Sequence, residues 1–354
     1  MAPEKTKYVD RAIPTISLAN YSERMDEITA ELVSAAENVG FFCIVDHGIS
    51  QDEVDEIFAQ SARFFALPDE IKAKVPFSSA HNAGWEKNAQ VRPSTGAADK
   101  KESYQMQFGQ NMEGKWLDDR EIPGFKESSL KFMWHVQEVS EKLMTCFARG
   151  LGFPDDYFVK AHDVRRPESQ TVARLLHYFE TPRETNGEVW HRAGAHTDWD
   201  LVTLLFQKAG QSGLEICPGR EVSTSFGHGD EWTKVNPPSS NAIICNIGDL
   251  LMSWSDDRFK STFHRVKSPS EADDYYGERY SIAFFNQPCR DTLIQGPLKK
   301  YPLVTGEEFT RNAMMKNFRA LEIKRFALAE QQAKENGMVG VGGENGKVVA
   351  GVGA

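Results

Sequence analysis

The sequence predicts a mainly β protein in which flanking helices wrap a barrel or jelly-roll core. Two patterns carry that prediction. Helical periodicity is confined to the first part of the chain and to a segment near its end, whereas from about Thr171 the residues fall into short β-type runs separated by Gly, Pro, Asn and Asp. A length of 354 residues with 40% hydrophobic and 11% aromatic content suits one barrel with its helices and can bury a large core.

In chain order, Met25, Ile28, Leu32, Ala36 and Val39 recur at helical spacing, and Gly40 stops that helix. Phe41 to Val45 reads as a buried strand ended by Asp46-His47-Gly48. Val54, Ile57, Phe58, Ala62 and Phe65 mark a second helix before Leu67-Pro68. His81 to Ala98 lacks helical periodicity and carries Asn82, Gly84, Pro93, Ser94 and Gly96, so it is expected to be a loop, either an ordinary surface connection or a lid with Trp85 and Arg92 as its useful residues. Glu102 to Phe108 alternates polar and large side chains like a strand with two distinct faces. One register turns Ser103, Gln105 and Gln107 to a cavity, and the other is read as packing Tyr104, Met106 and Phe108 into the core. A long helix is expected over Leu130 to Leu151, with Met133, Val136, Leu143 and Phe147 inside, and a last one over Phe309 to Gln331. Seven glycines in the eighteen residues after Asn336 predict a mobile tail. The resulting division is 11–130 as a mixed α/β region, 131–325 as a helix plus barrel core, and 336–354 as tail.

Composition narrows the function. A formal charge of −10 with no Lys/Arg stripe argues against a nucleic-acid polymer as partner. No apolar run approaches the ~20 residues that span a bilayer, and Met1 to Asp10 lacks the apolar stretch of a signal peptide. The five cysteines show neither metal nor disulfide spacing and are expected to be reduced thiols in a cytoplasmic protein.

Chemistry enters with Gly-Ala-His196-Thr-Asp198-Trp and the later Phe263-His264-Arg265-Val266. His196 and Asp198, two apart, fall on one side of an extended segment, and His264 lies in a β-type run. Two imidazoles and a carboxylate on one face of a metal, with the opposite face open, are the ligand set of non-haem Fe(II) oxygenases. Asp249, after Gly248 in Asn246-Ile-Gly-Asp-Leu-Leu, is read as a turn residue linking two strands and bonding its own backbone. The other histidines, at 47, 81, 135, 162, 177, 191 and 228, read as structural or surface, with His177 a possible exception beside Tyr178.

With Arg279-Tyr-Ser281-Ile-Ala-Phe-Phe285 following His264, the ordered motifs resemble the Fe(II)/2-oxoglutarate dioxygenase superfamily, in the branch that also holds isopenicillin N synthase. The Lys-Glu-Ser-Tyr and Arg-Leu-Leu-His-Tyr segments make the chain most similar to fungal thymine-hydroxylase-type enzymes, over roughly residues 11 to 325. This resemblance implies a double-stranded β-helix (jelly-roll) core. It also implies Fe(II) on His196, Asp198 and His264, with 2-oxoglutarate and O2 as cosubstrates. In such enzymes oxidative decarboxylation gives succinate and CO2 while a small organic substrate is hydroxylated, desaturated or rearranged. Arg279 offers a planar, permanently charged fork for the far carboxylate, Ser281 a second hydrogen bond from the same side, and Tyr178 matches a position that helps hold it. Many relatives carry Asn where this chain has Leu176, so a hydrogen bond from that side chain is absent. Ser103 and Gln105 match positions that border substrate, and Arg92, Trp199 and Phe285 are further candidates for the pocket. Secondary metabolism is the expected setting. Two alternatives stand beside this reading: an oxidase like isopenicillin N synthase, which uses no 2-oxoglutarate and turns Arg279 and Ser281 to its substrate, and a non-catalytic binding protein on the same fold.

Overall fold

A computed structural model of the protein describes residues 6–91, 98–184, 192–221 and 231–315. The first part comprises β1 (Lys7–Tyr8), β2 (Thr15–Ser17), α1 (Tyr21–Asn38), β3 (Phe41–Val45), α2 (Gln51–Phe65) and α3 (Asp69–Lys72), then β4 (Gly84–Lys87) and β5 (Lys101–Met106). The helices α4 (Phe125–Gly150) and α5 (Tyr157–Ala161) lead to β6 (Val172–Tyr178), β7 (Ala193–His196), β8 (Val202–Gln207), β9 (Leu214–Glu221), β10 (Glu231–Lys234) and β11 (Ile243–Ile247). A short α6 (Asp249–Trp254) precedes β12 (Thr262–Val266), β13 (Arg279–Phe285), β14 (Leu293–Ile294) and β15 (Val304–Thr305).

Two sheets make the jelly roll. The larger runs β2-β3-β11-β8-β13-β6-β5-β4, the smaller β1-β10-β9-β12-β7. Alternation along each strand gives the larger sheet two different faces. Ala173, Leu175, Ile282 and Phe284 join one apolar core with Leu32 and Ala36 of α1, Ile57 and Phe64 of α2, and Met133, Val136, Leu143 and Phe147 of α4. The reverse face looks between the sheets, where Leu176, Tyr178, Ala193, Val266 and Ala283 cluster with Leu205 and Phe285. This inner face carries the candidate site.

The predicted helices form for the reasons their spacing gives. In α1, Ile28, Leu32 and Ala36 are buried. Gly40 ends it at φ 74°, where a Cβ would sit 2.3 Å from the Lys260 carbonyl oxygen, so only glycine fits. Ser50 caps α2, its Oγ accepting from the Glu53 amide at 3.2 Å. The third long helix, α4, begins at Phe125, five residues before the expected Leu130, because Gly124 at φ 75° turns the chain into it. Helix also covers 306–315, ahead of the expected start at Phe309. The remainder of the segment expected to be helical, to Gln331, and the tail lie outside the described residues, and no helix among those described is long and apolar enough to cross a membrane.

Three expectations are corrected. The segment His81 to Ala98 is not wholly loop: Gly84–Lys87 is the edge strand β4, paired antiparallel with β5. Trp85 then shares a face with Tyr104, away from the cavity, and its indole Nε1 donates to Glu102 at 2.8 Å. The two registers weighed for 102–108 are one and the same, since Ser103 and Gln105 stand opposite Leu176 and Arg174 on the inner face while Tyr104 and Met106 fill the core behind. Asp249 is not a turn between neighbouring strands. It opens α6, which carries the chain from the larger sheet to the smaller.

Candidate active site

The pairing of β7 with β12 puts His264 directly opposite His196. Their ring centroids are 4.3 Å apart. Asp198, two residues beyond the end of β7, brings Oδ1 to 3.7 Å from His196 Nε2 and Oδ2 to 3.7 Å from His264 Nε2. One ligand atom from each residue thus lies within 4.8 Å of the others. His196 Nδ1 is engaged with the Gly194 carbonyl at 2.7 Å and His264 Nδ1 with that of Thr262 at 3.3 Å. Those contacts place the proton on Nδ1 and turn both Nε2 atoms toward Asp198, the tautomer that a metal ligand requires. Two nitrogens and a carboxylate oxygen so arranged fit a divalent iron on one face.

Asp198 is itself held. Its Oδ2 accepts from Thr203 Oγ1 at 2.7 Å and from Asn246 Nδ2 at 2.9 Å, both from the inner face of the larger sheet. Thr203 Oγ1 also lies 3.0 Å from Asp200 Oδ2, yet a hydroxyl has one proton to give. Burial, with the nearby Asp198 charge adding, pushes the Asp200 carboxyl well above its usual range. Thr203 thus sits between two carboxylates, and the raised proton affinity of Asp200 favours Asp198 as the acceptor of its single proton. The Asp249 carboxylate accepts from Ser261 at 2.6 Å and Thr197 at 3.2 Å, fastening the entry of β12 to the segment between the two nearby candidate ligands. Its backbone NH donates to the Asp198 carbonyl at 2.8 Å, so the residue read as a self-bonded turn in fact braces the site.

Along the same inner face, Arg279 begins β13 and is 1% exposed. Its guanidinium donates to Gln211 O at 3.2 Å, Ser281 Oγ at 3.3 Å and Gln207 Oε1 at 3.1 Å, and its Cζ stands 5.1 Å from the Tyr178 ring centroid. All three acceptors are neutral. Burial lowers the proton affinity of Arg279, and among the described residues no carboxylate pairs with it. A desolvated cation with only neutral partners is costly unless an anion completes the site. Leu176 stands opposite Ser281 and Ser103, an apolar side chain in the middle of this polar row.

Further along lie Ser103, Gln105, Arg174 and Phe285. Ser103 Oγ donates to Glu86 at 3.1 Å, and Gln105 Nε2 to Asn82 Oδ1 at 2.7 Å. Arg174 donates to Gln105 Oε1 and holds its Cζ 5.2 Å from the Phe285 ring centroid. Gln207 stands out in the sequence as a polar residue at a strand end, whereas Arg174 does not, although two-residue alternation from Tyr178 through Leu176 puts Arg174 on the inner side. Trp199 follows Asp198 and is half-buried. Arg92 and His191 lie outside the described residues. His177 faces away from the cavity, its Nδ1 2.9 Å from Glu102 Oε1 and its ring stacked on Tyr280 at 4.7 Å.

Comparison with known proteins agrees with this geometry. Residues 170–288 match the model of the 2OG-Fe(II) oxygenase superfamily, and residues 13–123 that of the non-haem dioxygenase in morphine synthesis N-terminal region. The 2-oxoglutarate-dependent dioxygenase frbA of a Dothideomycetidae species is 29% identical over 80% of this chain and 88% of its own. The proline hydroxylase buaE of Petromyces alliaceus is 31% identical over 81% and 89%. Among solved structures, a full-length Neurospora crassa protein in complex with alpha-KG and thymine superposes with a TM-score of 0.72 at 28% identity, over 86% of this chain and 97% of that one. The chain belongs to the 2OG-Fe(II) oxygenase superfamily. It is a 2-oxoglutarate-dependent, non-haem iron oxygenase with a jelly-roll core.

Proposed function

We propose that this oxygenase oxidises a small cyclic or carboxylate-bearing metabolite held against Arg174 and Phe285, above a centre formed by His196, Asp198 and His264. The observation that carries the reading is the placement of Arg174: a guanidinium packed against an aromatic ring, on the face that also carries Arg279 and Ser281. A guanidinium recognises carbonyl and carboxylate oxygens in its own plane, and the ring beside it favours a flat ligand. Ser103, Gln105 and Trp199 border the same space in this reading, with Arg92 assigned there from the sequence. The thymine bound by the Neurospora crassa protein of 28% identity supports the cyclic, carbonyl-rich end of the class, and the fungal relatives support a role in secondary metabolism. The five buried free cysteines support a cytoplasmic setting.

The roles follow from the positions. Iron, 2-oxoglutarate and O2, when bound, supply the oxidising equivalent and release succinate and CO2. His196, Asp198 and His264 would hold the iron, while Thr203 and Asn246 fix the Asp198 carboxylate for it. Arg279 and Ser281 would take the distal carboxylate of 2-oxoglutarate, with Tyr178 walling that end. Arg174 and Phe285 orient the substrate so that one C–H bond faces the centre, and this positioning is the protein's own contribution to the rate.

The test is a succinate assay with anaerobically iron-loaded protein against pyrimidines, cyclic amino acids and related lactams, comparing wild type with Arg174→Gln. A substrate of the proposed class raises succinate well above the uncoupled background in wild type, and the substitution raises its KM at least tenfold. Stimulation only by flexible apolar compounds, or indifference to Arg174→Gln, would contradict the assignment.

A further inference from the structure

Arg192 lies immediately before β7 and is 1% exposed. Nη2 donates to the Gly277 carbonyl at 2.7 Å, while Nε is buried with no partner. Its Cζ stands 5.7 Å from the Tyr275 ring centroid. Gln211 links this group to the cosubstrate end of the cavity: its Nε2 reaches Tyr275 Oη at 3.4 Å and the Glu278 carbonyl at 3.0 Å, and its own carbonyl accepts from Arg279 Nε at 3.2 Å. Among the described residues no carboxylate pairs with Arg192.

Neighbouring charge sharpens the contrast. Lys101, whose Nζ is 5.6 Å from the Tyr178 ring centroid, is neutralised by Asp99 at 3.2 Å. Arg192 and Arg279 have no such partner among the described residues. Burial first, and the Arg279 charge second, push the Arg192 guanidinium down to about 10. Two buried cations that repel each other, each with neutral hydrogen-bond partners among the described residues and with Asp274 the one carboxylate acting on Arg192 from a distance, make a site that favours a bound anion.

We infer that Arg192 is a second cation of the cosubstrate pocket, sharing the charge of the distal carboxylate of 2-oxoglutarate with Arg279. The inference rests on the reading that Arg279 and Ser281 receive that carboxylate. It separates two functions: Arg279 supplies the fork that fixes direction, and Arg192 adds charge behind it. The chelating end of the cosubstrate lies outside its influence.

Calorimetric titration of the anaerobic Fe(II)-loaded protein with 2-oxoglutarate and with 2-oxovalerate, which lacks the distal carboxylate, tests both levels. Wild type prefers 2-oxoglutarate by a large factor if the distal site exists, and equal affinities would overturn the reading of Arg279 itself. Arg192→Gln is expected to weaken 2-oxoglutarate roughly tenfold, the scale of one charge-assisted contact, and to leave 2-oxovalerate unchanged. Arg192→Lys keeps the charge with a different reach and is expected to lose about threefold, again only for 2-oxoglutarate. Thermal melting confirms which variants fold. An unchanged ratio of the two affinities in Arg192→Gln, or in Arg192→Lys should that variant alone fold, overturns the proposal, as does an equal loss for both ligands.

Discussion

His264 faces His196 across the antiparallel β7–β12 pair, and Asp198 completes the triangle from just beyond the strand end. The register of one strand pair therefore sets the spacing of the two imidazoles, and a slip of one residue would turn His264 out of the cavity. The centre is built by backbone pairing before any metal arrives.

Removing a ligand should accordingly leave the fold in place. His264→Ala is expected to abolish turnover and stoichiometric iron binding with little change in melting temperature, whereas His177→Ala, on the reverse face, keeps its iron. Iron content per chain, measured beside circular dichroism, checks both. Full activity in a folded His264→Ala protein would contradict the assignment.

Thr203 and Asn246 both hold the Asp198 carboxylate and would act on a bound metal through it. Losing such a partner typically costs about 10–100-fold in metal affinity. Asn246→Ala is expected to weaken Fe(II) binding by about that factor, and Thr203→Val by a similar one, in competition with a chelator. An unchanged affinity in both would remove them from the site.

Arg279→Lys keeps the charge and loses the fork. The lost charge-assisted hydrogen bond is worth roughly 1.5–3 kcal/mol, so 2-oxoglutarate should bind about ten- to a hundredfold more weakly while iron affinity holds. Ser281→Ala should shift the same parameter less. Oxygen uptake as a function of 2-oxoglutarate concentration gives the comparison.

Behind the inner face, Glu102 ties three segments together, accepting from Lys72 Nζ and Trp85 Nε1 at 2.8 Å each and contacting His177 Nδ1 at 2.9 Å. Burial raises its proton affinity, but the His177, Lys72 and Trp85 contacts outweigh burial and hold the carboxyl below its usual 4.5. A depressed folded value means that the stability from Glu102 is full above about pH 4.5 and drains away as pH falls through the folded value. Glu102→Gln should cost about 3–5 kcal/mol near neutrality, the scale for breaking a buried pair, and should flatten the acid limb of the stability curve. Urea unfolding from mildly acidic to neutral pH measures both effects.

How much of this was legible in the sequence depends on the kind of signal each residue carries. The helices of the first part announce themselves because Ile28, Leu32 and Ala36, or Val54, Ile57 and Phe58, must share a face. The triad is legible because its residue types are rare together and its strands are short. Arg192 is not legible: one arginine beside a strand looks like any other until folding removes it from water. Asp249 was misplaced for a related reason, since Gly-Asp starts a helix as readily as it makes a turn, and the carboxylate finds Ser261 and Thr197 only in three dimensions. The edge strand β4, Gly-Trp-Glu-Lys, is only four residues long and pairs with β5 alone among the named strands, so its run is too short to show apolar alternation.

The ladder on β6 has a consequence for how such an enzyme diversifies. Tyr178 and Arg174 sit on one side of one strand, four residues and so roughly 13 Å apart at about 3.3 Å per residue, with the metal-facing surface alongside. On the proposed assignments, cosubstrate recognition and substrate recognition are spatially separate settings on a common rail. Randomising 103, 105, 174 and 285 is then expected to sample new substrates without disturbing the proposed cosubstrate row, and a laboratory lineage could travel far in specificity while keeping the same oxidising engine.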